Sequence, residues 1–292
     1  MFRGSCVALV TPFKNGEVDY DKLKELVNWH VDSGTDCIVP CGCTGEAATL
    51  NHSEHRKVIK TVIKEAGGRV KIMPGTGSNS TWETLELTEY AKKTGADSAL
   101  IITPYYNKPT QEGLYRHYKK IAEEIDIPIC LYNVPSRTGI NLEPATVKRL
   151  SEIDNIQAVK EASGSISQCA KIVNICGNNI NLLSGDDSLT YAMMALGGKG
   201  VVSVLANVVP QAVHLMTDSF LKGDTAAALN VHNQWFPLME ALFVETNPAP
   251  VKEAMGMLGK IIPEMRMPLV NLKKENREFL KKVMEDSGLE TV

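Results

Sequence analysis

Aromatic residues are scarce in this chain, 6% of 292 with three tryptophans, and no run approaches the roughly 18 consecutive apolar residues that a membrane span requires. The opening, MFRGSCVALVTPFKNGE, holds a short apolar run that stops at Pro12 and charge, unlike an export leader. Neither sign of charge dominates: 31 basic side chains face 34 acidic ones, for a formal net charge of -3. That balance gives no electrostatic footprint for nucleic acid or an anionic membrane as partner. The seven cysteines, Cys6, Cys37, Cys41, Cys43, Cys130, Cys169 and Cys176, are odd in number, and four lie in or just after β-rich apolar stretches. They read as reduced thiols and not as a disulfide framework, so the expectation is a soluble, cytoplasmic, unexported protein.

What is present is ordinary globular material, 43% apolar, or about half with glycine included. The length allows two domains of about 150 residues or one α/β barrel of about 250. Periodicity chooses between them. Apolar, β-branched runs begin at Cys6, Asp36, Val70, Ser98, Ile127, Ile156, Ile180 and Gly200, spaced by 20 to 34 residues. Helical patterns with charged faces lie between them, among them Tyr20 to Ser33, Glu54 to Ala66, Thr81 to Thr94 and Gln111 to Ile125. Several end where a left-handed residue is wanted, at Gly34, Gly67, Gly95, Gly177 and Gly197. Continuously apolar strands belong to a parallel sheet covered on both faces, and eight successive βα units favour closure into a (β/α)8 TIM barrel over an open doubly wound sheet. From about Gly223 the strand signal stops, and three helical segments follow: Asp224 to Phe243, Pro250 to Leu258 and Lys273 to Asp286. Pro248, Pro250, Pro263 and Pro268 punctuate them. The expected organisation is a barrel over 1–223 with a C-terminal three-helix appendage over 224–292, joined without a flexible linker.

In such a barrel the strand C-termini and the loops after them form the active face. Lys160 stands out there. On a two-residue period it shares a strand face with Ala158 and Ala162, small neighbours that leave room around its amine. Burial of an ammonium lowers its pKa and favours the neutral nucleophile that a Schiff base needs. Tyr132 ends the preceding strand, about 4.8 Å away, near enough for its phenol to reach Lys160 and carry protons. Arg137 lies in the next loop, and its guanidinium fork suits a carboxylate. Taken singly, each has a plainer reading: a lysine that snorkels to solvent, a tyrosine packed at the rim and a solvated loop arginine.

GCTGE (Gly42 to Glu46), YNVPSRTG (Tyr132 to Gly139) and the lysine of VKEAS together resemble the pyruvate-dependent class I aldolase family that includes N-acetylneuraminate lyase and dihydrodipicolinate synthase. The resemblance runs from FRGSCVALVTPF through LFVETNPAPVK, and TPYYNKPTQEGLY and VPSRTG resemble the dihydrodipicolinate synthase branch in particular. It implies that Lys160 condenses with the keto group of pyruvate and that loss of a methyl proton gives a nucleophilic enamine. Tyr132 would shuttle the protons, and Thr44 would hold the pyruvate carboxylate with help from the preceding backbone. Consecutive N–H groups in a Gly-bounded turn suit that anion. Arg137 would bind the carboxylate of L-aspartate 4-semialdehyde, and the resemblance puts Gly185 and Val202 among the substrate-binding positions. Tyr106 would be donated into a neighbouring subunit's site, in a homotetramer arranged as a dimer of dimers. No metal or organic cofactor is implied, since the lysine supplies the electron sink.

Cys43 departs from the pattern, standing where the family has Thr or Ser between the two relay tyrosines. A thiol is a weaker, longer donor but exchanges protons more readily than an alcohol. A working thiol relay, a slower enzyme and a bypassed step all remain open. The family resemblance also implies an L-lysine inhibitor site from Ala48, His52, His55, Asn79, Glu83 and Tyr105. Otherwise His52 and His55 read as first-turn residues on a solvated helix face. Ala47 occupies a position that is serine in some regulated members, which would weaken inhibition. Cys37, Cys41 and Cys43 lack zinc-ligand spacing, and LGGKG lacks the remainder of a phosphate loop and reads as a helix end and turn. An aldolase cleaving a 2-keto sugar acid is the nearest rival, and Arg137 opposes it. A catalytically silent metabolite-binding barrel is the rival of another class, favoured only by Cys43.

Overall fold

The eight apolar runs become eight strands. The computed structural model describes residues 2–292, and its strands are β1 (Gly4–Ala8), β2 (Cys37–Val39), β3 (Lys71–Ile72), β4 (Ala99–Ile102), β5 (Ile129–Asn133), β6 (Ile156–Glu161), β7 (Asn181–Ser184) and β8 (Gly200–Ser203). They pair in parallel in the order β3-β2-β1-β8-β7-β6-β5-β4. The two ends of that series also meet. Gly75, just past β3, bridges Leu100 of β4 in parallel, with the Leu100 N–H on the Pro74 carbonyl at 2.9 Å and the Thr76 N–H on the Leu100 carbonyl at 3.0 Å. The sheet closes into a barrel, which excludes the open doubly wound alternative.

Helices follow the strands: α1 (Tyr20–Asp32), α2 (His52–Ala66), α3 (Thr81–Thr94), α4 (Gln111–Glu124), α5 (Pro144–Leu150), α6 (Ile166–Cys176), α7 (Thr190–Ala195) and α8 (Pro210–Leu221). Their starts are chemically marked. The side chains of Asp19, Asn51, Ser80, Thr110 and Ser165 each accept a first-turn N–H, satisfying donors that the helix itself cannot. α2 begins two residues before the expected Glu54, because Asn51 and Glu54 cap each other reciprocally. At the other end Gly67 and Gly95 adopt φ of 56° and 101°, the left-handed turn that a side chain resists. LGGKG is a helix end and turn, with Leu196 capping α7 and Gly197 at φ 108°.

Two apolar layers result. Inside the barrel, residues such as Ala8, Val39, Leu100, Tyr132, Ala158 and Leu183 form one cluster, and outside it the other strand faces meet the helices. Leu23, Leu26 and Val27 of α1 are fully or almost fully buried there, each contributing about 1.5–3 kcal/mol of transfer free energy. After α8 come α9 (Thr225–Ala241), α10 (Ala249–Met257) and α11 (Lys274–Asp286). Leu238, Met255 and Leu280 of these helices belong to the same buried cluster as Val7 and Leu26 of the barrel wall. Among the described residues no helix is long and apolar enough to cross a membrane.

One element was not anticipated. Phe13–Lys14 pairs antiparallel with Glu17–Val18 across Asn15 and Gly16, whose φ values of 54° and 81° are those of a primed two-residue turn. The Glu264 carboxylate accepts the Asn15 and Gly16 N–H groups at 2.9 and 2.5 Å, tying this hairpin to the segment between α10 and α11.

Barrel closure at Gly75 tolerates no side chain, because a Cβ there would lie 2.2 Å from the Cys41 carbonyl oxygen and 2.9 Å from its carbon. Gly75→Ala is expected to destabilise the chain by about 1–3 kcal/mol or more, seen as a lower urea midpoint, whereas Gly68→Ala, which meets nothing within 4 Å, loses only what its left-handed φ of 79° costs.

Candidate active site

Lys160 sits on β6 in register with Tyr132 of β5 and Leu183 of β7, its side chain inside the barrel and only 6% exposed. Burial depresses its pKa below the ordinary lysine range; Cys43, Cys130 and Asp187 oppose that shift and Arg137 adds to it. Its Nζ lies 4.1 Å from the centre of the Tyr132 ring. The amine lies over the ring, and the hydroxyl points to the Cys43 sulfur at 3.9 Å, a long O–H···S contact. Desolvation, with Cys43 adding to it, holds the Tyr132 phenol well above its usual value, so this group stays a donor.

A cavity of about 420 Å³ opens over these groups, lined by Cys43, Thr44, Tyr132, Arg137, Lys160 and Gly185, with Val204, Phe243 and Asn247 among its other walls. Thr44 is buried, and its hydroxyl accepts from Asn247 Nδ2 at 3.0 Å. The carbonyl of the same Asn247 accepts from Arg137 Nη2 at 3.0 Å, so one residue ties both carboxylate-binding candidates together. Gly185 is glycine for a reason: a Cβ would meet Ala162 Cβ at 2.6 Å and the Lys160 Cε at 3.1 Å. Val202 lies buried in the barrel interior, in register with Cys6, and the cavity wall is Val204, just past the end of β8, instead. Tyr106 lines neither cavity; it stands 89% exposed on a left-handed residue with φ 70°.

A second cavity of about 360 Å³ adjoins the first and shares Cys43, Tyr132, Arg137 and Asn247 with it. Ala48, His55, Glu83 and Tyr105 line it. His55 is buried, its Nε2 2.8 Å from the Gly75 carbonyl, which corrects the view that both histidines lie on a solvated face. His52 does face solvent, with Nδ1 3.4 Å from the Glu83 carboxylate, and the Ser78 hydroxyl donates to the other Glu83 oxygen. Asn79 accepts from Asn107 Nδ2 at 2.9 Å through its carbonyl. Cys37 points into the barrel while Cys41, at φ 57°, turns outward to the His55 carbonyl, so the three nearby thiols do not converge.

Sequence reasoning missed Asn247, Glu161 and the pair Glu46–Lys252. Glu161, next to Lys160, is buried and accepts from Asn133 Nδ2, from the Ser163 N–H at 2.7 Å and from Gln168 Nε2 at 3.0 Å. Nothing in the local pattern of LFVETNPAPVK marks Asn247 as facing Thr44 across 203 positions.

Fold and site together define a (β/α)8 enzyme of the class I aldolase type, with a buried lysine at the floor of its cavity. The chain belongs to the Dihydrodipicolinate synthetase family, whose profile matches residues 1–287. It is 53% identical over 289 residues to the 4-hydroxy-tetrahydrodipicolinate synthase of Geobacter metallireducens, covering 99% of this chain and 100% of that one. It is similar to the chloride-inhibited dihydrodipicolinate synthase of Acinetobacter baumannii complexed with pyruvate, at TM-score 0.97 and 45% identity, covering 99% of this chain and 100% of that one. It also resembles the Cyanidioschyzon merolae enzyme solved with lysine bound, at TM-score 0.95 and 40% identity, covering 99% of each.

Because burial depresses Lys160, its neutral amine is populated at lower pH than that of a solvated lysine. Cyanoborohydride trapping of a keto acid on this residue is therefore expected to rise with pH through a midpoint below the solvated value of about 10.4. Intact-mass measurement across pH checks this, and a midpoint at or above the solvated value would remove burial as the activating device.

Proposed function

We propose that this chain is a 4-hydroxy-tetrahydrodipicolinate synthase that condenses pyruvate with L-aspartate 4-semialdehyde on the route to lysine and diaminopimelate. The observation that carries the reading is the convergence of Lys160, Tyr132, Cys43, Thr44 and Arg137 on one cavity in a chain of this family. The neutral Lys160 amine attacks the keto carbon, and water leaves to give the imine. Loss of a methyl proton then gives an enamine, whose carbon adds to the aldehyde as the aldehyde oxygen takes a proton to become a hydroxyl; the amine of the aldehyde substrate then adds to the imine carbon, closing the ring and expelling the Lys160 amine. Tyr132, protonated and adjacent, donates the proton with which the carbinolamine oxygen departs as water and recovers one from the Lys160 nitrogen that attacked. Thr44 and the turn before it receive the pyruvate carboxylate, while Arg137 forks onto the carboxylate of the aldehyde. Gly185 leaves the space in which the lysine swings, and Val202 packs beneath. The imine itself is the electron sink, so no cofactor enters the scheme.

Cys43 takes the middle place of the proton relay, its thiol within reach of the Tyr132 hydroxyl. Tyr106, projecting into solvent from this protomer, completes the relay of a neighbouring copy in a homotetramer of paired dimers. The second cavity receives L-lysine, its ammonium on Glu83 and its polar groups on His52, His55, Asn79 and Tyr105, with Ala48 in the wall; the lysine-bound relative supports this. Residues 1–223 make the catalytic barrel and 224–292 a three-helix appendage that supplies Asn247 to the site. Seven free thiols suit a cytoplasmic setting.

Incubation with pyruvate and borohydride tests the scheme. The expected result is a mass adduct on Lys160 that Lys160→Ala abolishes, and no adduct on the parent would eliminate the mechanism. Arg137→Ala should raise the KM for L-aspartate 4-semialdehyde about 10- to 100-fold while leaving that for pyruvate within about threefold, the loss expected for a charge-assisted pair. An equal rise in both constants would remove Arg137 as the selective partner of the aldehyde carboxylate.

For the second cavity, millimolar-range L-lysine is expected to lower turnover of the parent, and Glu83→Ala to abolish that effect. An inhibition curve unchanged in Glu83→Ala, or a parent indifferent to L-lysine, would remove the site.

A further inference from the structure

Lys252 of α10 and Glu46, in the loop after β2, form an ion pair in which neither side chain is exposed, with Nζ 2.6 Å from Oε1. The same Nζ donates to the Thr11 carbonyl at 2.9 Å and lies 4.3 Å from the centre of the Phe13 ring. Glu46 Oε2 accepts the Arg266 backbone N–H at 3.2 Å. Burial pushes the Lys252 ammonium down, with the Glu46 carboxylate the chief opposing influence. Apolar residues of the same volume would usually serve stability as well or better than a buried ion pair, so stability alone does not account for this one.

What the pair holds is more telling. Glu46 has φ 53°, a left-handed conformation that a residue with a side chain adopts reluctantly, and it follows Gly45, where a Cβ would lie 2.9 Å from the Leu9 carbonyl oxygen. Thr11 closes the circuit: its carbonyl accepts from Lys252, and its hydroxyl donates to the Gly45 carbonyl at 2.7 Å. Residues 45 and 46 are thus clamped from α10 and from the segment after β1, and the next residue back is Thr44.

We propose that Lys252 and Glu46 are positioning residues, whose buried pair locks the turn that aims Thr44 and its neighbouring N–H groups at the keto-acid carboxylate. The pair touches no substrate. It acts through Thr44, and so sets how much pyruvate half-saturates the site and not how Lys160 reacts once loaded. This rests on the Schiff-base reading above.

Borohydride trapping on Lys160 as a function of pyruvate concentration, read by intact mass and set beside the KM for the aldehyde from turnover, tests it. The variants are Glu46→Gln, Lys252→Met and their combination, which leaves no uncompensated buried charge. Arg277→Met is the control, since Arg277 pairs at 2.5 Å with Glu253, the helix neighbour of Lys252, and makes no hydrogen bond to residues 44–46. In the double variant half-saturating pyruvate is expected to rise tenfold or more, the maximal adduct to reach the parent's level, and the KM for the aldehyde to stay within twofold. Arg277→Met should follow the parent. A double variant that melts with the parent and half-saturates within twofold of it overturns the inference. So does a parallel rise in both substrates' constants, the mark of general loosening. A parent that traps no pyruvate sinks the Schiff-base reading itself and this inference with it, so the two failures are distinguishable.

Discussion

Dehydration of one amine is the constraint on which the site depends. A closed parallel barrel has no interior edge and little interior water, so a lysine on its inner face gives up hydration whenever it is charged. Lys160 meets that condition between Ala158 and Ala162, facing the ring of Tyr132, and the space it needs is kept open by the absence of a side chain at Gly185. The other groups fall into place round this requirement. Electron-rich aromatic surface is a tolerable neighbour for a group that alternates between amine and cation, since a ring face attracts an ammonium without hydrogen-bonding it permanently. Glu161, one residue on, faces away into a network of amide and backbone donors, so the nearest carboxylate in sequence is occupied by Asn133, Ser163 and Gln168.

The last third of the chain is bound to this arrangement by polar contacts as well as by shared core. Asn247 reaches Thr44 and Arg137, Lys252 reaches Glu46, and Arg266 joins Glu54 to the hairpin through the Gly16 carbonyl. Each contact spans roughly a third to most of the polypeptide, so these barrel loops share hydrogen bonds with the C-terminal segment. Fold and site are in this sense one cooperative unit, although the strand pattern ends long before the chain does.

Much of this was legible in the sequence, for identifiable reasons. Parallel barrel strands are covered on both faces and therefore read as continuous apolar runs, and helix ends carry local chemistry such as Asn51 with Glu54 or the glycines at 67 and 95. A lysine inside a strand breaks that pattern and so announces itself. Asn247, Glu46 and Lys252 do not, because a polar or charged residue in a helix or loop is by default solvated, and only tertiary contacts over 203 and 206 positions reveal otherwise. The hairpin at Asn15 and Gly16 was readable in principle, since that dipeptide is a strong turn signal, but the apolar run of β1 leads straight into Phe13 and hides the break. The sequence does not separate His55 from His52, which share the first turns of one helix, and the burial of His55 follows from the Gly75 carbonyl beside it.

The two cavities have a wall in common, made by Cys43, Tyr132, Arg137 and Asn247. A shared wall is a thermodynamic junction. Any occupant of the smaller chamber that shifts those four residues alters the free energy of filling the larger one, and because free energy sums to zero round the closed binding cycle, the larger chamber's occupant alters the smaller one's affinity by the same factor. The chain therefore needs no long conduit between distant places to link its two chambers, only a partition thin enough for both sides to feel.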